Sequence, residues 1–241
     1  MRTQEGDNRK QEFLDTALEL FYEKGYENTT IRNIIDSVGV SKGAFYHYFG
    51  SKEEVLETIA MQYVEKKLTV IEKVAQEQNL NALGKFNKII VKLQDIKIYY
   101  AEMRWKIFRI FAGNKNIKLK NQILDNFLEM AQPVYKNIIK QGIDEGIFHT
   151  DYPGEVAELY IHLNNIFKKI VSEMIINLDS NVDDTEILRA KIKQKDNIKM
   201  LTRKFSFYED TLEKILGVKS GSIKLAETLL GQLRKEEFYN K

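Results

Sequence analysis

Apolar residues recur at spacings of three and four along most of the chain. Phe13, Leu14, Ala17, Leu18, Leu20 and Phe21 lay one apolar stripe on residues 9–24, the mark of an amphipathic helix. Gly25 follows and suits a left-handed C-terminal cap. Thr29 and Thr30 then offer an N-cap, and Ile31, Ile34, Ile35 and Val38 mark a short second helix that Gly39 ends. Ser41 caps a third helix over 42–48, and Gly50 breaks it. Ser51, with Glu54 three residues on, predicts a capping box at the start of a long fourth helix over 52–76. The same period predicts further helices near 82–96, 99–111, 117–145, 154–178, 185–216 and 222–238. Asn79, Gly113, Gly146, Pro153, Asp179 and Gly217 supply breaks between them. Pro133 falls inside one segment and predicts a kink there.

Alternation of the β type is nowhere sustained. With 13 Gly and only 2 Pro in 241 residues, tight turns are too few for an all-β protein. The expected fold class is all-α. No run of about 18 apolar residues is present, so no membrane span is expected. The stretch MRTQEGDNRK has no apolar core, so no secretory signal is expected either. The absence of cysteine removes disulfides and thiolate metal sites. These features together point to the cytoplasm.

The first three helices carry the chemistry. Gly39, Val40, Ser41 and Lys42 form a four-residue joint between two short helices, as in a helix-turn-helix. In that motif the second helix enters the DNA major groove. Residues 41–52 read SKGAFYHYFGSK, with Lys42 and Lys52 and no acid. Ser41, Tyr46, His47 and Tyr48 add hydrogen-bonding groups of the kind that position phosphates. Gly43 removes bulk where backbone can approach DNA. Bulk charge does not help: residues 1–52 hold seven Lys/Arg against eight Asp/Glu, a net of −1. Binding must rest on a local face, and the salt dependence of each half-site should be modest.

The run from Phe13 to Glu53 resembles the DNA-binding domain of the tetracycline-repressor family. The matching pieces are ALELF at 17–21, Gly25, Tyr26, Thr29, Thr30, Ile31, Ile34, VGVSKG at 38–43, FYHYF at 45–49 and SKE at 51–53. The resemblance implies a three-helix DNA-binding domain over 1–52 and a larger helical ligand-binding and dimerisation domain over 53–241. It implies phosphate contacts at Thr30 and Lys52. Ser41, Lys42 and Gly43 match positions in or beside the major groove, and Tyr46 and His47 match phosphate or base contacts. Phe45 and Phe49 match packing positions.

In the resembled family the ligand pocket lies between the long fourth helix and the helices after it. That makes Tyr63, Tyr99, Met103, Trp105, Phe127, Tyr135, His162 and Phe167 candidates for its lining, although large aromatics more often pack a core. The family layout also implies a homodimer joined through 154–178 and 185–216, a near-palindromic double-stranded DNA operator, and a small-molecule effector that releases it. An interaction module acting on a protein partner without a small ligand is the alternative. The basic run 189–204, with seven Lys/Arg and one acid, is either a solvated helix face or a second contact for nucleic acid or an acidic partner. No P-loop, GxSxG or HExxH is present, and His47, His149 and His162 are far apart, so neither an enzyme, a cofactor nor a metal is expected.

Overall fold

A computed structural model of the chain describes residues 2–111, 116–178 and 194–234. Among the described residues there are helices and turns and no strand. The helices are α1 (Arg2–Lys24), α2 (Ile31–Val38), α3 (Lys42–Tyr48), α4 (Lys52–Ala75), α5 (Ala82–Tyr99), α6 (Ala101–Phe111), α7 (Ile117–Asp144), α8 (Pro153–Leu178), α9 (Lys195–Leu216) and α10 (Leu225–Arg234). The all-α class is therefore borne out.

Boundaries differ where polarity hides the period. Helix α1 begins seven residues before its apolar stripe, at Arg2 rather than residue 9. That extension is polar, and the Arg9–Glu12 ion pair and the Gln11–Asp15 hydrogen bond lie along the turns that join it to the stripe. Helix α5 runs on to Tyr99, with Tyr100 as the turn before α6. Pro133 lies inside α7, which continues through it. The expected helix over 185–216 is seen from Lys195, and that over 222–238 to Arg234; residues 179–193 and 235–241 lie outside the described residues.

The chain divides into two compact units. One comprises Met1–Lys67 with Tyr99–Phe127, and the other Leu68–Ile98 with Leu128–Lys241. In the first unit α1 packs on both α2 and α6. Phe13, Phe21, Ile34, Phe45, Phe49, Val55 and Leu56 form its buried core. Phe13 meets Phe45 and Phe49 edge-on, at 5.7 and 6.2 Å between ring centres, a geometry aromatic quadrupoles favour. Lys106 on α6 is nearly buried and pairs with Glu19 of α1 at 2.5 Å and with Glu102 at 2.8 Å.

The second unit is centred on Phe86, Tyr135 and Tyr160, whose ring centres lie 4.5–6.2 Å apart. Gly142 is required there: a Cβ would stand 2.1 Å from the Phe148 ring. Glu213, also buried, accepts hydrogen bonds from the N–H groups of Gly221 and Ile223 at 3.1 and 2.8 Å. Glu209 accepts from Ala226 at 2.7 Å, so α9 side chains cap the start of α10. No described helix is long and apolar enough to cross a membrane.

Candidate nucleic-acid interface

Short-range hydrogen bonds build the helix-turn-helix. Gly25 takes φ +82° after α1, a conformation that L side chains rarely adopt. Thr29 is fully buried, and its hydroxyl reaches the carbonyls of Leu20 and Gly25. Thr30 caps α2 reciprocally: its Oγ1 accepts from the Asn33 amide at 3.1 Å, while Asn33 Oδ1 accepts from the Thr30 amide at 2.9 Å. Asparagine thus takes the place of the usual Glu or Gln. Gly39 closes α2 at φ +74°, donating to the Ile35 carbonyl. Ser41 caps α3 by accepting from the Ala44 amide at 3.2 Å. The expected box at α4 forms with a shift: Ser51 Oγ accepts from the Glu54 amide, but the Glu54 carboxylate reaches back to Gly50 rather than to Ser51.

These caps leave α3 with two faces. Phe45, together with Phe49 just beyond the helix, is buried in the core. Ser41, Lys42, Gly43, Tyr46 and His47 are exposed together at helical spacing, with Tyr46 48% exposed. No acid interrupts this face. The Lys42 Nζ lies 5.7 Å from the Tyr46 ring centre. A Cβ at Gly43 would meet only Ser41 Oγ, at 3.8 Å. Nothing in the fold therefore demands glycine there, although a helical glycine costs about 1 kcal/mol relative to alanine. Thr30 is exposed at the start of α2.

Lys52 stands differently. It is half-buried, and its Nζ donates to the carbonyls of Tyr26 at 2.7 Å and Thr29 at 2.9 Å, while lying 4.3 Å from the Tyr26 ring centre. Burial, followed by the charges of Glu53 and Glu27, pushes the Tyr26 hydroxyl above its ordinary value. Periodicity could not reveal this cross-link, because it joins residues 23 and 26 positions apart.

Of the eight pocket candidates, five belong to the first unit and three to the second. Within the first unit, Phe127 is buried under the Lys67 ammonium, whose Nζ lies 3.8 Å from its ring centre and 5.9 Å from that of Tyr63. Burial raises the Tyr63 hydroxyl pKa against the opposing pull of Arg104. Trp105 is half-buried beside Phe108, and its Nε1–H is buried without a partner among the described residues. Met103 borders an open cleft of about 240 Å³ with Leu14, Ile59, Gln62 and Tyr100. Tyr99 is 81% exposed. In the second unit Tyr135 is wholly buried against Tyr160, which together hold its hydroxyl well above the ordinary range. His162 is exposed and lies 3.6 Å from Glu158. Phe167 belongs to α8, and its side chain lies outside the described residues.

An all-helical chain that displays an acid-free helix face from a capped helix-turn-helix defines a class, the DNA-binding transcriptional regulators. The profile for "Bacterial regulatory proteins, tetR family" matches residues 13–59, and that for "Tetracyclin repressor-like, C-terminal domain" matches residues 109–194. The chain belongs to the tetR family. It is 27% identical over 197 residues to the uncharacterized HTH-type transcriptional regulator YerO of Bacillus subtilis. That match covers 80% of this chain and 65% of YerO, just under two thirds of the relative. It is 28% identical over 155 residues to the HTH-type transcriptional repressor AcnR of Corynebacterium efficiens, covering 64% of this chain and 76% of AcnR. The fold matches that of SmeT, the repressor of the Stenotrophomonas maltophilia multidrug efflux pump SmeDEF, with TM-score 0.57 and 18% identity over 89% of this chain and 92% of SmeT. SmeT is also known as a complex with triclosan.

Proposed function

We propose that this regulator is a repressor that binds a near-palindromic operator as a homodimer and leaves it when a small effector binds. The observation that carries the DNA assignment is the exposed face of Ser41, Lys42, Gly43, Tyr46 and His47 on a helix whose opposite side is fixed in the core. Ser41, Lys42 and Gly43 sit in or beside the major groove, and Tyr46 and His47 reach phosphate or base edges. Thr30 meets a phosphate at the start of α2, where free amides favour anions. Function divides near residue 52, with DNA binding before it and effector binding and dimerisation after it. The cytoplasm, where such DNA lies, is the place of action, and the protein works by binding rather than by catalysis.

Dimerisation through α8 and α9 is supported by their exposed apolar side chains, Leu159 and Ile166 on the first and Met200 and Phe207 on the second. The latter pair borders a groove of about 430 Å³ with Arg203 and Lys204. A two-fold dimer places two recognition helices about one DNA turn apart. Selection of bound fragments from random DNA followed by sequencing should enrich a palindrome with that spacing. Enrichment of no palindrome would sink this reading.

The effector site is assigned to Tyr63, Met103, Trp105 and Phe127. The Trp105 Nε1–H, buried without a partner among the described residues, supports it, because such a donor is costly unless something accepts from it. Trp105 is the single tryptophan of the chain, so its fluorescence reports on this place alone. Triclosan is a suitable first probe, followed by a library of aromatic acceptors. A compound that quenches Trp105 should raise the melting temperature and release DNA over one concentration range. Release without any change in Trp105 would move the site elsewhere.

A further inference from the structure

We propose that Lys52 is a positioning residue that ties the first turn of α4 to the start of α2, rather than a side chain whose main partner is a phosphate. The inference rests on the DNA-binding assignment of the helix-turn-helix. Its basis is a single peptide plane. The carbonyl of Thr29 and the amide of Thr30 belong to the same rigid unit. Lys52 Nζ holds the carbonyl side at 2.9 Å, and Asn33 Oδ1 holds the amide side at 2.9 Å. A second carbonyl, that of Tyr26, takes another ammonium hydrogen at 2.7 Å, and the Tyr26 ring lies 4.3 Å from the same nitrogen. Two of the three ammonium hydrogens and one face of the cation are thus spent inside the protein.

The placement is otherwise a poor one for a cation. Lys52 is the first residue of α4, where the helix dipole disfavours positive charge. Glu53 and Glu54 suit that end, and Glu54 uses it to cap Gly50. The ammonium is instead drawn across to the carbonyl ends of the turn that follows α1. Helix α4 then continues to Ala75. A displacement of α4 along or about its axis is carried through Lys52 to the plane that sets the Thr30 cap. Lys52 therefore ties the position of the first turn of α4 to that of the Thr30 cap.

Two readouts on the full chain test this with Lys52→Met and Lys52→Arg. The first is amide exchange at Thr29, Thr30 and Asn33 in the absence of DNA. The second is operator affinity measured across salt concentrations. Positioning predicts exchange accelerated about tenfold or more in Lys52→Met and largely restored in Lys52→Arg. It also predicts a tenfold or greater loss of affinity with the slope of log K against log salt unchanged. A phosphate contact predicts unchanged exchange and a slope reduced by about 0.9 for each protomer, since one released counterion is lost. That second pattern overturns the proposal, as does wild-type affinity in Lys52→Met. The exchange readout needs no DNA, so it decides the role of Lys52 even if no operator is found.

Discussion

The helix-turn-helix and the larger unit satisfy their buried polar groups over very different distances along the chain. Around α2 and α3 the capping bonds join residues three or four apart, as in Thr30 with Asn33 and Ser41 with Ala44. In the larger unit Lys85 reaches Gln141, Glu145 accepts from Ala82, and Asn87 bonds Ser222 and Lys224 across more than 130 residues. The first region is an assembly of local decisions that leaves one face free for a partner. The second closes on itself through bonds between distant residues, and Phe86, Tyr135 and Tyr160 fill its core. Local closure suits a module whose job is to present a fixed outer face. Long-range closure suits a body whose packing can change as a whole.

The largest test of this contrast is Phe45→Ala. It removes a ring buried on the inner side of α3 and should destabilise the first unit by about 3–5 kcal/mol. Residue-resolved amide exchange under native conditions should show the loss in α1–α3 with α8–α10 unchanged. A uniform loss in both regions would break the contrast. Next in size, Glu213→Ala strands two N–H groups and should cost the larger unit about 2–3 kcal/mol. Its exchange signature should spread from α9 to Ile223 and Ala226, and an effect confined to α9 would contradict long-range closure. Thr30→Ala should cost only about 1 kcal/mol, the worth of a helix cap. Chemical denaturation should register that small loss, while operator affinity should fall by more than the stability change alone explains.

The smallest effect is expected at Glu209. Burial pushes its carboxyl above the usual range, against the pull of the Ala226 N–H that it accepts. Its folded pKa thus exceeds its unfolded pKa, so ionisation weakens the fold above the folded value. That penalty disappears below the unfolded value. Glu209→Gln should therefore be slightly more stable than wild type near neutral pH, and the gain should vanish as pH falls through the carboxylate range. A gain that grows on acidification would reverse the assigned cause.

The same difference in distance explains what could be read from residues alone. Gly25, Gly39, Thr30 and Ser41 announce their caps because each acts on neighbours within a turn. The exposed set of Ser41, Lys42, Gly43, Tyr46 and His47 follows from seven consecutive residues and one buried Phe45. Helix α1 was seen only from its apolar stripe, since a polar N-terminal extension has no period to detect. The clamp at Lys52 was invisible because its partners are backbone carbonyls, which sequence does not mark. The lining of a pocket is a different case for a physical reason. An aromatic side chain fills a core, as Tyr135 does, or lies on the surface, as Tyr99 does, and periodicity does not say which.

The near-balanced charge around an acid-free face has a consequence for target search. With a net charge of −1 over residues 1–52, random DNA should offer the protein little beyond the contacts proposed for α3 and α2. Nonspecific affinity comes almost wholly from released counterions. Residence on unrelated sequence should then be brief, with short sliding runs and frequent return to free diffusion. Such a regulator is poorly sequestered by the bulk of a genome. Fewer copies per cell should then be needed to keep one operator occupied, and each should become available again soon after release.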